Sequence, residues 1–224
     1  VTDASIEGVL EKNTTQWETI WKCNDDTKRE ETPAMLKALR EVAINEPGTP
    51  IVFCSGHLRK VAQTFPNKTS IGADCWTFQE IAACTDDDLA ALGRLMANHL
   101  SMIIAPKQCA LNIINLLPKA GGDFRILCTL STYKRIETRL QAKEQKEWNT
   151  NHADDEDTAK PGTSCLTGME ERLVDIEILK TQGREVFKIL CDATKFFDTI
   201  DPTELAKQCE AQGYGLRRTC HTMI

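Results

Sequence analysis

An acidic residue at the end of an apolar run is the first candidate for chemistry in this sequence. Residues 186–191 form a short run rich in β-branched and aromatic types, which is typical of a buried strand. Asp192 follows at the carboxyl end of this predicted strand, where α/β sheets often carry ligands. Phe197 comes five residues later, and Asp201-Pro202 then predicts the start of a helix.

Asp192 has two interpretations on residue type alone. A carboxylate after a strand often accepts hydrogen bonds from the turn that follows it. A carboxylate is also a ligand for a hard cation such as Mg²⁺, which usually takes one or two protein carboxylates together with substrate phosphates. The residues by themselves leave both interpretations open.

A second candidate group is a pair of cations around a predicted hairpin. Two strand-like runs, 111–117 and 124–127, flank a Gly-Gly turn. Lys119 lies at this turn and Arg125 lies on the return strand. Such cations are commonly just solvated at a surface turn. Alternatively, the lysine point charge and the arginine fork would together bind phosphate.

The charge of the chain is unevenly distributed. The whole chain has a net charge of −6, whereas residues 107–147 hold eight basic and four acidic residues, a net charge of +4. A local reversal of this kind suits a polyanionic partner, although a solvated helix face also produces it.

The residues around Asp192, CDATKFFDTID, resemble the first palm motif of reverse transcriptases of the non-LTR retrotransposon type. The resemblance implies that Asp192 binds catalytic Mg²⁺. It also implies that Phe197 lies under the sugar of the incoming nucleotide, with Ala193 beside it in the nucleotide site. Asp198 belongs to the motif but is not expected to bind metal.

Three further segments are similar to the same family in the same order. LLPKAGGDFRILCTLSTYKRIETRL is similar to its fingers hairpin, which implies that Lys119 and Arg125 grip the triphosphate; Ile126 stands where the family usually has proline. KTSIGADCWTFQEIAA is similar to the entry into the fingers, and DTAKPGTSCLTGMEERLVDIE to the segment between fingers and palm. The resemblance covers about residues 66–210.

This resemblance implies an RNA-directed DNA polymerase acting on an RNA template, a DNA primer and deoxynucleoside triphosphates. Its chemistry is in-line attack of a 3′-hydroxyl, assisted by two Mg²⁺ ions held by more than one carboxylate. The family's second metal motif is an Asp-Asp pair downstream of the first, and none follows Asp192 here. The acidic groups 86–88 and 154–155 lie upstream and are interpreted as a helix start and a loop. We therefore predict a fragment that does not polymerise by itself.

Two alternatives remain at this level. The second interpretation is a non-catalytic RNA-binding or helical interaction remnant of a retroelement, with residues 107–146 tracking a nucleic-acid backbone. A weaker third interpretation is an RNA-dependent RNA polymerase.

The predicted fold class is α/β (α+β) and helix-rich, with a fingers subdomain carrying a β-hairpin and the first part of a polymerase palm. The predicted division is an N-terminal helical extension at 1–65, a fingers-like region at 66–182 and the incomplete palm at 183–224. Residues 25–32 are predicted to form a charged link. The predicted helix boundaries follow from capping and breaking residues: Ser55, Thr77, Thr85, Ser131 and Ser164 at starts, Pro106 and Gly183 at ends.

The ten cysteines show no CxxC or zinc-finger spacing, and several, such as Cys84 and Cys128, lie within apolar patterns. This favours free buried thiols and an intracellular, reducing compartment, with a zinc site or disulfides as the minority interpretation. No apolar run is long enough to span a bilayer, so no membrane partner is expected.

Overall fold

The computed structural model describes residues 5–21, 26–45, 51–120, 124–152, 164–187 and 200–223. Within these ranges the chain is helix-rich, with one two-stranded antiparallel sheet, which confirms the predicted mixed and helix-rich class. The described elements, in chain order, are α1 (Ile6–Trp21), α2 (Asp26–Asn45), α3 (Ser55–Gln63), α4 (Phe78–Ala83), α5 (Asp86–Met102), a 3₁₀ turn (Lys107–Ala110), β1 (Ile113–Pro118), β2 (Phe124–Thr129), α6 (Thr132–His152), α7 (Cys165–Thr181), α8 (Pro202–Ala211) and α9 (Leu216–Met223).

The chain divides into two compact units, residues 1–140 with 196–224, and residues 141–195. The main core of the first unit is built from α3, α4, α5 and the start of α6. Its fully or nearly fully buried side chains are Leu58, Val61, Ala62, Phe78, Leu89, Met96, Ile136 and Leu140. This core contains residues from both sides of residue 65, where the predicted N-terminal extension ends. The predicted three-part division stays a prediction.

Local capping accounts for several helix starts. Thr77 and Glu80 form a reciprocal capping box at α4, and Thr85 accepts a hydrogen bond from the Asp88 backbone N–H at α5. Ser164 does the same for α7. Each cap satisfies backbone donors that a helix leaves without an internal partner. The sequence predicted Thr77 as a cap, and it predicted helix starts after Thr85 and at Ser164.

Two helix starts differ from the predictions. Ser55 is the first residue of α3 rather than its cap, because Cys54 occupies the cap position in extended conformation. The charged link predicted at 25–32 is wrong from residue 26 onward, since α2 begins at Asp26 and continues through Pro33. Lysine, arginine and glutamate are good helix formers, so a charged segment is compatible with a helix.

The end of α5 also differs from the sequence prediction. The helix ends at Met102, before Pro106, because Ile103 adopts a left-handed conformation with φ of +50°. This conformation is costly for a β-branched residue. Ile103 is fully buried with Ala43 and Cys220, and this second cluster packs α2 and α9 against the end of α5.

Arginines from α2 and α9 complete that helix end. Arg40 donates to the Met102 carbonyl, and Arg217 donates to the carbonyls of Ser101 and Ile44. Cations at a helix carboxyl end satisfy its last carbonyls and oppose its dipole. The short helix α9, for which the sequence made no prediction, is therefore held by contacts with residues more than a hundred positions away.

The described cysteines are free thiols. Cys220 is buried and Cys84 half-buried, whereas Cys128, predicted from its apolar surroundings to be buried, is exposed. Cys128 lies on the two-stranded sheet, where no third strand or helix covers its side chain among the described residues. No helix in the described ranges is long and apolar enough to cross a membrane.

Candidate nucleic-acid interface

The predicted hairpin is present as the antiparallel pair β1 and β2. Leu117 pairs with Arg125, and Pro118 pairs with Phe124 at the turn end of the ladder. Lys119 follows directly after β1, and both Lys119 and Arg125 are exposed. The Gly-Gly turn itself lies within residues 121–123, outside the described residues.

The register assigns one of the two cations, Arg125, to a face of the hairpin. Successive residues of a strand point to opposite faces, so Arg125 shares a face with its partner Leu117. Lys119 lies one residue past the end of the ladder, so the register does not assign it to a face. The hairpin thus carries Arg125, and the other residue predicted to bind phosphate follows β1 directly in the chain.

The start of α6, immediately after the hairpin, is anchored by a distant segment. The Asp74 carboxylate accepts hydrogen bonds from the backbone N–H groups of Thr132 and Tyr133, both at 3.0 Å. The Thr132 hydroxyl donates to the Trp76 carbonyl at 2.6 Å, and Arg135 donates to the Ser70 carbonyl. This segment orients the helix that carries on from β2, so it also orients the base of the hairpin.

Sequence reasoning missed this anchoring role. Residues 70–76 were identified by resemblance as a family segment, but their contact with α6 spans 56 to 65 positions of the chain. No pattern within a few residues of Asp74 predicts which helix it caps. The only local signal is that α6 begins with backbone donors that need acceptors.

The basic residues of α6 serve different purposes. Arg135 lies over the Phe78 ring at 4.8 Å, and Arg139 lies over the Phe65 ring at 5.1 Å; the two rings are stacked with centroids 3.8 Å apart. Lys134 pairs with the buried Glu137 at 3.2 Å. Arg135 and Lys134 therefore stabilise the fold, which lowers the number of charges in this segment that are available to a partner.

The remaining cations of the segment are exposed. They are Lys107, Lys119, Arg125, Arg139, Lys143 and Lys146. On α6, Lys143 also lies 3.9 Å from Glu147, a long contact between two exposed side chains, and pairs of this kind contribute little to stability. The side chains of these lysines and arginines are accessible to solvent.

The residues proposed around the palm motif fall outside the described part of the chain. Asp192, Ala193 and Phe197 lie within 188–199, so their relation to Lys119 and Arg125 is not described. Of the strand predicted over 186–191, only Val186 and Phe187 are described.

At Phe187 the prediction of a buried strand is wrong. Neither Val186 nor Phe187 is in a strand, and Phe187 is 86% exposed. A strand is stable only within a sheet that has other strands or a helix packed on it. The described residues form no sheet beyond β1 and β2. The helix start predicted just beyond is confirmed, since Asp201 caps α8 through the Thr203 backbone N–H at 2.8 Å.

Among the described residues, no group of three histidine, cysteine, aspartate or glutamate side chains is arranged to hold a metal ion. The acidic triplet at 86–88 is a helix start, as predicted. Asp86 pairs with Arg59 at 2.6 Å, and Asp88 accepts from the Thr85 hydroxyl. Asp192, the predicted Mg²⁺ ligand, lies outside the described residues. The described side chains therefore do not test the predicted magnesium site.

Both tyrosines of the chain are held as neutral phenols. The Tyr133 hydroxyl lies 2.7 Å from Nδ1 of His99, and burial raises its pKa, with the charge of Glu137 adding to the effect. Burial likewise raises the pKa of Tyr214, partly opposed by Arg218.

Alkaline titration is expected to reveal these shifts. In the folded protein, tyrosinate absorbance is expected to rise only at a pH clearly above the ordinary tyrosine pKa. In urea, both phenols are expected to ionise with a pKa of about 10. Because the folded pKa values are raised, their contribution to stability is present below about pH 10 and is lost as the pH rises through them. Tyr133→Phe is expected to remove about half of the amplitude; a folded-state midpoint at the unfolded value would contradict the burial argument.

Comparisons of the chain with protein-family models, with curated proteins and with solved structures found no match. The resemblance to reverse transcriptases therefore stays a prediction from the motifs.

Proposed function

We propose that this chain is part of an RNA-directed DNA polymerase of the non-LTR retrotransposon type, with fingers over about residues 66–182 and the start of a palm after them. The proposal rests on four motif-like segments in family order. The observation that supports it is the antiparallel hairpin, on which Arg125 is exposed and which the exposed Lys119 follows directly after β1.

In this proposal the hairpin binds the triphosphate of the incoming deoxynucleotide. Arg125 supplies a planar fork of donors, and Lys119 supplies a compact charge. Asp192 and Phe197 have the roles that the family resemblance implies, as metal ligand and sugar-discriminating aromatic. Catalysis in this class depends on positioning and charge stabilisation. The chain alone is expected not to extend a primer, since it lacks the second acidic pair.

The hairpin is tested by equilibrium binding of dTTP to the purified chain. Arg125→Ala and Lys119→Ala are each expected to weaken binding about tenfold, because each removes a charge-assisted contact worth roughly 1.5 kcal/mol. Arg125→Lys is expected to give an intermediate loss, since it keeps the charge without the fork. Arg94→Ala, at an exposed arginine on α5, is the matched control and is expected to leave the affinity unchanged. If all four variants bind dTTP with the same affinity as the wild type, the hairpin is not the triphosphate site.

A second candidate function is RNA binding without catalysis. It is favoured by the exposed Arg139, Lys143 and Lys146 on α6, which need neither a nucleotide nor a metal to contact an RNA backbone. RNA binding that persists in Asp192→Ala, with no dependence on Mg²⁺ or dTTP, supports this alternative. In that case the logarithm of the affinity is expected to fall with the logarithm of salt concentration by about 0.7 for each phosphate contacted.

A further inference from the structure

A cavity of about 220 Å³ lies between α4, α5, α6 and the segment that anchors α6. Its apolar lining consists of the half-buried Ile81, Cys84 and Leu92 and the fully buried Leu89, Met96 and Ile136. An apolar cavity of about 150 Å³ is enough to admit benzene. This cavity is therefore large enough for a single ring or a short branched aliphatic group.

The more exposed part of the lining is aromatic and acidic. Trp76, 49% exposed, and Tyr133 supply rings, and Asp74 and Asp88 supply carboxylates. The described lining residues include these two acids and no basic residue. A cation is favoured beside carboxylates and over the face of an aromatic ring, whereas an anion is opposed by the same groups.

Asp88 is the better placed of the two carboxylates to accept a ligand. Both Asp74 oxygens already accept backbone N–H groups of α6. Asp88 is exposed, and its Oδ2 accepts from the Thr85 hydroxyl at 2.6 Å. A carboxylate offers about four acceptor positions, so Asp88 retains acceptor capacity in this arrangement.

We propose that this cavity binds a small organic ammonium ion whose apolar body is about the size of one ring. The body contacts the half-buried side chains of Ile81, Cys84 and Leu92. The ammonium stays near Asp88 and Trp76, where it keeps part of its hydration. Burial of the body supplies most of the affinity, and the carboxylate supplies the preference for positive charge. This site is separate from the hairpin and does not depend on the proposed polymerase function.

The probe is benzylammonium, compared with benzyl alcohol and benzoate, which have similar bodies and different charge. Binding is followed by the methyl NMR resonance of Met96, assigned with Met96→Leu. Benzylammonium is expected to shift this resonance saturably, with a dissociation constant of about 1 mM, which corresponds to about 4 kcal/mol and is reasonable for so few atoms. Benzyl alcohol is expected to bind at least about fivefold more weakly, and benzoate more weakly still.

Asp88→Asn tests the origin of the charge preference. The variant is expected to lower the affinity for benzylammonium to that for benzyl alcohol and to leave the affinity for benzyl alcohol unchanged. Asp87→Asn is the matched control, because Asp87 is the adjacent exposed acid and does not line the cavity. No saturable shift at Met96, equal binding of the charged and neutral probes, or an unchanged preference in Asp88→Asn would each overturn the proposal.

Discussion

Replacing Phe78 by alanine is expected to lower the free energy of unfolding by about 4 kcal/mol, the largest effect predicted for this chain. Phe78 is 1% exposed in the main core and stacks on Phe65 with an angle of 11° between the rings. Truncating a buried phenylalanine loses its transfer free energy and leaves a cavity, which together cost about 3–5 kcal/mol. The Arg135 guanidinium, 4.8 Å from the same ring, also loses its contact.

Urea unfolding followed by helical circular dichroism measures this effect. Phe78→Leu is the control: it keeps most of the apolar volume and removes only the ring, so it is expected to cost about 1–1.5 kcal/mol. A loss of less than about 1 kcal/mol in Phe78→Ala would show that the ring does not hold this core together. Arg135 and Arg139 of α6 both lie over the Phe65–Phe78 pair. Phe78→Ala is therefore also expected to loosen the packing of these two arginines.

Gly72→Ala is expected to lower the free energy of unfolding by about 3 kcal/mol or more. A Cβ on Gly72 would lie 2.5 Å from both the Leu130 carbonyl oxygen and the Ser131 Cα. Both atoms belong to backbone at the start of α6, so no flexible side chain can move aside. Relieving the overlap requires separating the segment from α6, which disturbs the hydrogen bonds that Asp74 makes there.

Gly56→Ala is the matched control for this prediction. A Cβ on Gly56 meets nothing within 4 Å, and Gly56 lies in the first turn of α3. Alanine is a better helix former, so the free energy of unfolding is expected to stay the same or to rise by up to about 1 kcal/mol. Equal stabilities for Gly72→Ala and the wild type would contradict the close backbone approach. If the hairpin binds nucleotide, Gly72→Ala is also expected to weaken dTTP binding, since Gly72 packs where β2 leads into α6.

The signals that predicted the structure correctly act over a few residues. Thr77 and Thr85 cap helices because each side chain accepts from a donor three positions later. Gly183, with φ of +71°, ends α7 where a glycine was expected, and the N–H of Arg184 returns to the Leu179 carbonyl. The hairpin was predicted from two apolar runs with β-branched residues that flank a Gly-Gly turn.

The predictions that were wrong concern residues whose conformation depends on distant partners. Ile103 adopts a left-handed conformation because α2 and α9 bury it. Phe187 belongs to an apolar run, which is consistent with a buried strand. A buried strand also needs neighbouring strands, and an apolar run by itself does not specify them. Cys128 lies on a paired strand and is exposed because, among the described residues, no third strand or helix covers its side chain.

By itself, the sequence determined the helix-rich class, several helix starts and the hairpin that carries Arg125 and has Lys119 directly after β1, because these depend on hydrogen bonds and periodicity within one segment. Only the tertiary structure decided that Asp74 and Gly72 anchor α6, that Arg135 stabilises the core, and that an acidic, aromatic-lined cavity opens beside them. Those features join residues tens of positions apart, and no local pattern specifies which distant groups come into contact.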